Sequence, residues 1–413
     1  MNAPAVQGEI TLEDKYTLPQ GRAYMTAIQA LVRLMMLQQE RDTRAGLNTA
    51  GYVSGYRGSP LGGLDLALAR AQPHLDRHRI RFHPGVNEDL AATAIWGTQQ
   101  LGLFPGSKHD GVFSMWYGKA PGVDRSGDAF RHGNAAGSAR YGGVLLAAGD
   151  DPAARSTTVA DQTDFMFKAL LIPMLAPATV QDILDLGLHG FAMSRYSGCW
   201  VAFKCVSDVA ESSASVIVDP AHVQIHTPTD FELPEGGLNI RYPDFMLDAE
   251  ARLKNHKLFA ALAYARANGL NRVTLDSPRA RLGLVAAGKA YTDLRQALAT
   301  LGINDDSARG MGLRILKVDM PWPLEPEAVR RFATGLEEIL VIEEKRPLIE
   351  EQIKEQLYHW PDTARPRVVG KLDGAGQWEH KAGADWLIPP TSELTSVIAA
   401  RAIAARILRF MPT

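Results

Sequence analysis

Glu88 is the side chain in this sequence best placed to do chemistry. It follows Val86-Asn87 and opens the string Glu88-Asp-Leu-Ala-Ala-Thr-Ala-Ile-Trp-Gly, so one carboxyl stands at the start of an apolar helical run. Taken alone, a carboxyl in a helix's first turn serves the macrodipole. Beside an apolar wall it can also hold and return a proton. A second candidate is the loop Gly55-Tyr-Arg-Gly-Ser-Pro-Leu-Gly-Gly, which carries Arg57, Gly58 and Ser59. Such a loop between a strand and a helix can present N–H groups and a guanidinium to a carboxylate or phosphate. Its spacing matches neither the P-loop nor the dinucleotide fingerprint, and a plain turn explains it equally well. Asp150-Asp-Pro fits a capped turn or a metal-binding corner. Asp124 and Asp128 read as loop polarity, and His83 and His132 lack a second ligand at metal spacing. The two cysteines, Cys199 and Cys205, cannot build a disulfide framework or an iron–sulfur cluster and read as buried apolar residues. Glu343-Glu-Lys-Arg reads as a strand end with solvated charge.

The elements around these residues follow from periodicity. Three–four spacing of apolar residues predicts a helix over 23–39. Thr49-Ala-Gly-Tyr-Val-Ser reads as a strand, and Ser59 as the cap of a helix whose first position is Pro60. Asn87 is expected to cap a helix over 88–100. Strands are expected at 110–117, at the apolar run 141–150 and at 200–206, with a helix over 178–188. Residues 51–149 hold 18 of the 37 glycines, which marks this quarter as rich in functional turns. Alternating strands and helices predict a doubly wound parallel sheet over 45–220. A connection with one helix over 247–268 fills 221–280, and a second, smaller α/β unit is expected over 281–385. An arm and helix, 1–44, precede these, and a helical tail, 386–413, follows.

The chain has 413 residues with 44 Lys+Arg and 46 Asp+Glu, a net charge of −2. That balance argues against binding nucleic acid through phosphate neutralisation. No apolar run reaches the ~18–20 residues of a membrane helix, and the first residues lack a signal-peptide pattern. A cytoplasmic location is expected.

Several strings, in order along nearly the whole chain, resemble one family. They are Leu12-Glu-Asp-Lys-Tyr-Thr-Leu, the run from Gly46 to Asp65, Val86-Asn-Glu, Gly118-Lys-Ala-Pro-Gly-Val-Asp-Arg-Ser-Gly-Asp, Ser194-Arg-Tyr-Ser-Gly-Cys-Trp-Val and Ile342-Glu-Glu-Lys-Arg-Pro-Leu-Ile-Glu-Glu-Gln. The resemblance is to the amino-terminal part of the fused bacterial indolepyruvate:ferredoxin oxidoreductases, which depend on thiamine diphosphate. It implies a thiamine-diphosphate-binding fold: a pyrimidine-type domain, then a domain like the transketolase carboxyl-terminal domain. It implies oxidative decarboxylation of an arylpyruvate or other 2-oxo acid, with coenzyme A as acyl acceptor and ferredoxin as electron acceptor. It also implies that Glu88 is the activating glutamate, that Asn87 and Gly58 lie at the cofactor, and that Arg57 and Ser59 meet the substrate carboxylate.

The chain departs from the family in two respects. The Gly-Asp-Gly motif that holds Mg²⁺ and diphosphate has no counterpart in Gly127-Asp-Ala or Gly149-Asp-Asp, and no cysteine cluster motif occurs. The expectation is half of a shared site. A diphosphate-binding domain or subunit would complete it in a dimer, and Mg²⁺ and iron–sulfur clusters would belong to the complete enzyme only. The alternatives are a non-catalytic assembly or ligand-binding subunit and an unrelated coenzyme A binder.

Overall fold

The computed structural model describes residues 10–374, 379 and 386–410. Its first unit is built on a six-stranded, all-parallel sheet. The strands are β2 (Thr49–Gly55), β3 (Ile80–Phe82), β4 (Gly111–Lys119), β5 (Val144–Asp150), β6 (Met174–Leu175) and β7 (Val201–Val206), in the order β3-β2-β4-β5-β7-β6. Side chains alternate faces along a strand. Phe113, Met115, Leu145, Ala147, Val201 and Phe203 therefore enter one core, packed under the helices Ala27–Arg44 and Val180–Ser197. Trp116, Leu146, Ala148 and Ala202 enter the other, with Phe130, Phe167 and Trp200. Burial on both faces accounts for the almost uninterrupted apolar run of β5, which is buried at every position.

A two-stranded antiparallel ribbon pairs β1 (Gly21–Thr26) with β8 (Ser213–Val218). This corrects the helix expected from residue 23. Ala23 and Met25 face inward while Arg22 and Tyr24 face outward, a period of two ahead of the helical period. The helix starts only at Ala27, after a reciprocal capping box between Thr26 and Gln29. It packs into the first core, so the expected arm-and-helix segment 1–44 is not a separate body among the described residues.

The second unit has a five-stranded sheet, β9 (Asn271–Leu275), β10 (Leu282–Ala287), β11 (Leu313–Val318), β12 (Glu338–Ile342) and β13 (Arg367–Val369), in the order β13-β12-β10-β11-β9. It begins ten residues before the expected position, 281. Edge strand β9 runs antiparallel to β11, and its three middle residues are exposed, so hydrophobicity did not reveal it. The expected end of this unit at 385 lies outside the described residues. The tail is part of the same unit: helix Ser396–Phe410 lays Ala399, Ala402 and Ile403 into the core beside helix Gly288–Thr300. Arg406 clamps buried Glu338 with two bonds of 2.6 Å. The two sheets are joined where the Met174 N–H donates to Trp322 O at 2.7 Å and the Ala176 N–H donates to Asp319 O at 2.9 Å.

Candidate active site

The first sheet changes winding direction between β2 and β4. From β2 the chain passes outward to β3, then returns to lie on the other side of β2 as β4. In parallel sheets the crevice beyond the carboxyl ends of such strands is where ligands bind. Three glycine contacts shape it here. A Cβ on Gly55, at the end of β2, would lie 2.1 Å from Tyr117 O, so β2 and β4 close up at this point as no other residue would allow. The Gly85 N–H donates to Gly55 O at 2.8 Å, which folds the segment after β3 over the end of β2. A Cβ on Gly58 would meet the stem of Lys119 at 3.0 Å, placing the glycine-rich loop beside the end of β4.

Asn87 is the cap that the sequence implied: its Oδ1 accepts the Leu90 N–H at 2.9 Å, and the helix runs Glu88–Gln99. Glu88 opens that helix and is buried, at 8% exposure. Its carbonyl accepts the indole N–H of Trp116 at 3.0 Å. Trp116 in turn stands edge-on to Phe130 with centroids 4.9 Å apart. Ala91, Ala92, Ile95 and Val123 complete an apolar cluster behind the helix. In front, Glu88 Oε2 lies 4.0 Å from Arg125 Nε, and that guanidinium also holds Asp89 at 3.2 Å. The wall is therefore apolar on the helix side and cationic at its mouth.

The structure brings Glu88, Asn87 and Gly58 to the same sheet edge. Arg57 is exposed and Ser59 half-buried in the loop after β2, and neither is hydrogen-bonded to Glu88 among the described residues. Ser59 does not cap a helix. Residues 56–63 form a loop with turns at 59–60 and 62–63, Pro60 is tucked over Gly149 at the end of β5, and the helix starts at Leu64 after Gly63. The pair Gly62-Gly63 resists helix formation entropically. Asp124 and Asp128, expected in a loop, lie in the helices Ala120–Arg125 and Gly127–Ala136. Pro121 in the first turn was the signal for the former. Gly122 and Arg125, both against Glu88, were the functional neighbours the sequence reading missed.

The other candidates are structural. Asp150 is buried, accepts the Thr163 N–H at 3.3 Å and pairs with Lys204 at 3.3 Å; Lys204 also bonds Asp164. Burial, with Asp164 beside it, raises the Asp150 carboxyl to about 6 against the pull of Lys204. Burial also opposes the Lys204 charge, but Asp164 and Asp150 outweigh it and keep the ammonium protonated. Asp151 accepts from the Ser156 N–H at 2.8 Å. This corner is a closed ion-pair knot rather than a metal corner, and no group of three His, Cys, Asp or Glu among the described residues could hold a metal ion. Glu343, expected to be solvated, is buried. Its carboxylate caps helix Ile349–Leu357 by accepting from the Leu348, Ile349 and Glu350 N–H groups at 2.8–3.1 Å. Cys199 and Cys205 are buried and free. Burial raises the Cys199 thiol to about 11, which leaves it an unreactive apolar group.

Comparison with known proteins bears on the whole chain. Residues 271–411 match the family described as the indolepyruvate ferredoxin oxidoreductase middle domain. Indolepyruvate oxidoreductase subunit IorA of Methanothermobacter thermautotrophicus is 26% identical over 88% of this chain and 54% of its own length. The IorA of Pyrococcus abyssi is 25% identical over 78% of this chain and 47% of its own. The chain thus spans about half the length of these relatives. Among solved structures, a 2-oxoglutarate:ferredoxin oxidoreductase from Magnetococcus marinus superposes with a TM-score of 0.61 at 12% identity, covering 94% of this chain and 66% of that one. A split gene transketolase, described as an inactive β4 tetramer, superposes with a TM-score of 0.52 at 13% identity, covering 93% of this chain and 98% of that one. The chain therefore shares the fold of these two solved enzymes, is similar over most of its length to the indolepyruvate oxidoreductase IorA subunits, and matches the indolepyruvate ferredoxin oxidoreductase middle domain at residues 271–411.

Proposed function

We propose that this chain supplies the pyrimidine-side half of a thiamine diphosphate site in a cytoplasmic 2-oxoacid:ferredoxin oxidoreductase acting on indolepyruvate or another arylpyruvate. The observation that carries the reading is the buried Glu88 carboxyl at the sheet's switch point, backed by an apolar wall and faced by Arg125. When bound, thiamine diphosphate supplies a carbanion-stabilising centre for 2-oxo acid decarboxylation. Glu88 would share a proton with the aminopyrimidine N1′. Asn87 fixes the helix start that aims it, and Gly58 leaves the loop close to the end of β4. Arg57, exposed and without an ion-pair partner among the described residues, is free to meet the substrate carboxylate, with Ser59 beside it.

The residues present fit the pyrimidine end and not the diphosphate end. Asp150 and Asp151, the acidic pair at the carboxyl end of β5, are both committed to internal partners. On this reading Mg²⁺ and diphosphate are held by a separate domain or subunit, as are the iron–sulfur centres that pass electrons to ferredoxin. Tyr56, Val86 and Leu90 are 39%, 82% and 53% exposed around Glu88. They offer that domain an apolar rim, and a dimer of the complete enzyme would bury it.

The isolated chain is expected to bind thiamine diphosphate with Mg²⁺ weakly and to show no turnover; tight binding in calorimetry refutes the half-site. In the reconstituted complex, Glu88→Gln should abolish exchange of the cofactor's C2 proton while leaving assembly intact. Unchanged exchange would leave the chain an assembly subunit.

A further inference from the structure

The edge of the first sheet opposite Glu88 carries a second feature. Beside the amino ends of β2 and β3, between residues 16–19, the end of helix Ala27–Arg44 and helix Gln72–Arg77, lies an open groove of about 660 Å³, within the size range of small-molecule sites. Tyr16 and Pro19 form its apolar end, and Arg44, Arg77, His78 and Arg79 line the remainder together with uncharged polar side chains, His74 and Glu40. The charge there runs against the chain's net −2. The groove's one carboxylate, Glu40, is already held by buried Arg33 at 2.9 and 3.4 Å and by His78 at 3.2 Å. Arg77 donates only to neutral acceptors, Pro73 O and His74 Nδ1. Arg79 donates to Asn48 Oδ1 at 3.3 Å, and Arg44 comes no nearer a carboxylate than 3.9 Å, at Asp219. Among the described residues, Arg77 and Arg79 thus have no ion-pair partner.

Arg79 is held in place by its backbone. It follows helix Gln72–Arg77 and its His78 cap with φ = 54°, the left-handed conformation in which glycine is the unstrained choice. Its N–H donates to Asp76 O and its carbonyl accepts from Gly51 N, both at 3.0 Å. The backbone is therefore locked, and it fixes where this side chain stands: the helix C-terminus favours a cation there through its macrodipole, and the guanidinium is left without a carboxylate partner among the described residues.

The geometry points to a binding site for a polyphosphate-bearing small molecule, a nucleoside triphosphate by chemistry, with Arg77 and Arg79 on the phosphate chain and Arg44 at its flank. Guanidinium forks match phosphate oxygens two at a time, and Pro19, with the small exposed edge of Tyr16, is the groove's apolar end. The proposal is independent of Glu88, which lies at the other end of the strands.

Calorimetry on the full chain with ATP tests it. Binding tighter than about 1 mM is expected at low salt, weakening as ionic strength rises. The double variant Arg77→Ser, Arg79→Ser should weaken it at least about tenfold. Both positions are exposed, so the variant should keep the parent's melting temperature. Inorganic triphosphate should bind and adenosine should not. No ATP binding, binding unchanged in the double variant, or adenosine binding as well as ATP each overturns the proposal. Glu88→Gln must leave ATP binding unaltered; a loss there would assign the ATP to the Glu88 crevice and overturn the groove.

Discussion

Gly122 and Glu88 interlock across the sheet's switch point: a Cβ at Gly122 would stand 2.7 Å from Glu88 Cγ and 3.1 Å from its Oε1. The glycine sits inside helix Ala120–Arg125, where alanine alone would favour the helix by about 0.5–1 kcal/mol. Overpacking against Glu88 opposes this by about 1–3 kcal/mol. Gly122→Ala should therefore cost between about 0 and 2.5 kcal/mol of stability in urea unfolding, while pushing the Glu88 carboxyl away from the crevice. In the assembled enzyme its C2-proton exchange should drop by more than about tenfold. Wild-type exchange in a folded Gly122→Ala protein would show that the position of Glu88 is not critical.

Arg195, in the string Ser194-Arg-Tyr-Ser, belongs to the scaffold. It grips buried Asp42 through its two terminal nitrogens, Nη1 and Nη2, at 2.7 Å each, and also donates to Gly142 O and Tyr141 O. Helix Val180–Ser197 is thereby tied to helix Ala27–Arg44 and to the turn before β5. Removing one partner of a buried pair leaves an uncompensated charge and costs about 3–5 kcal/mol. Arg195→Ala should show that loss in denaturant titrations, and adding Asp42→Asn should recover part of it. A loss under about 1 kcal/mol would contradict the pair's structural weight.

His189 predicts an acid-side dependence of stability. Its Nδ1 lies 3.0 Å from the Tyr264 hydroxyl. Burial, helped by Arg41, Arg272 and His226, lowers its pKa from 6.5 to about 4. Between those values the unfolded chain takes up a proton that the folded chain refuses. The contribution is therefore complete above pH 6.5 and lost as the pH falls towards 4, up to about 3 kcal/mol. His189→Gln should flatten that part of the stability–pH curve relative to the parent. Parallel curves for the two proteins would rule the assignment out.

The apolar and glycine patterns made the outline legible. β2, β4, β5 and β7 lie within a few residues of their expected positions because strands buried on both faces must be apolar throughout. The 88–99 helix was legible because Asn87 is a strong cap before an apolar run. What stayed hidden has local causes. β1 is a short alternation that merges into the helical period after it. β9 is an exposed edge strand with no hydrophobic signature. The helix after β4 depended on reading Pro121 as a start rather than a break.

By itself the sequence determined the doubly wound sheet, the capped helix that carries Glu88, and the absence of the diphosphate motif, because each is written in neighbouring residues. Only the tertiary structure decided that Glu88 meets Gly122 and Arg125, that Asp150 is tied up by Lys204 and Asp164, and that Arg44, Arg77 and Arg79 share one groove. Those contacts join segments whose proximity comes from strand order, and strand order is set by how helices bury both faces of the sheet, a property of the whole chain that no local pattern encodes.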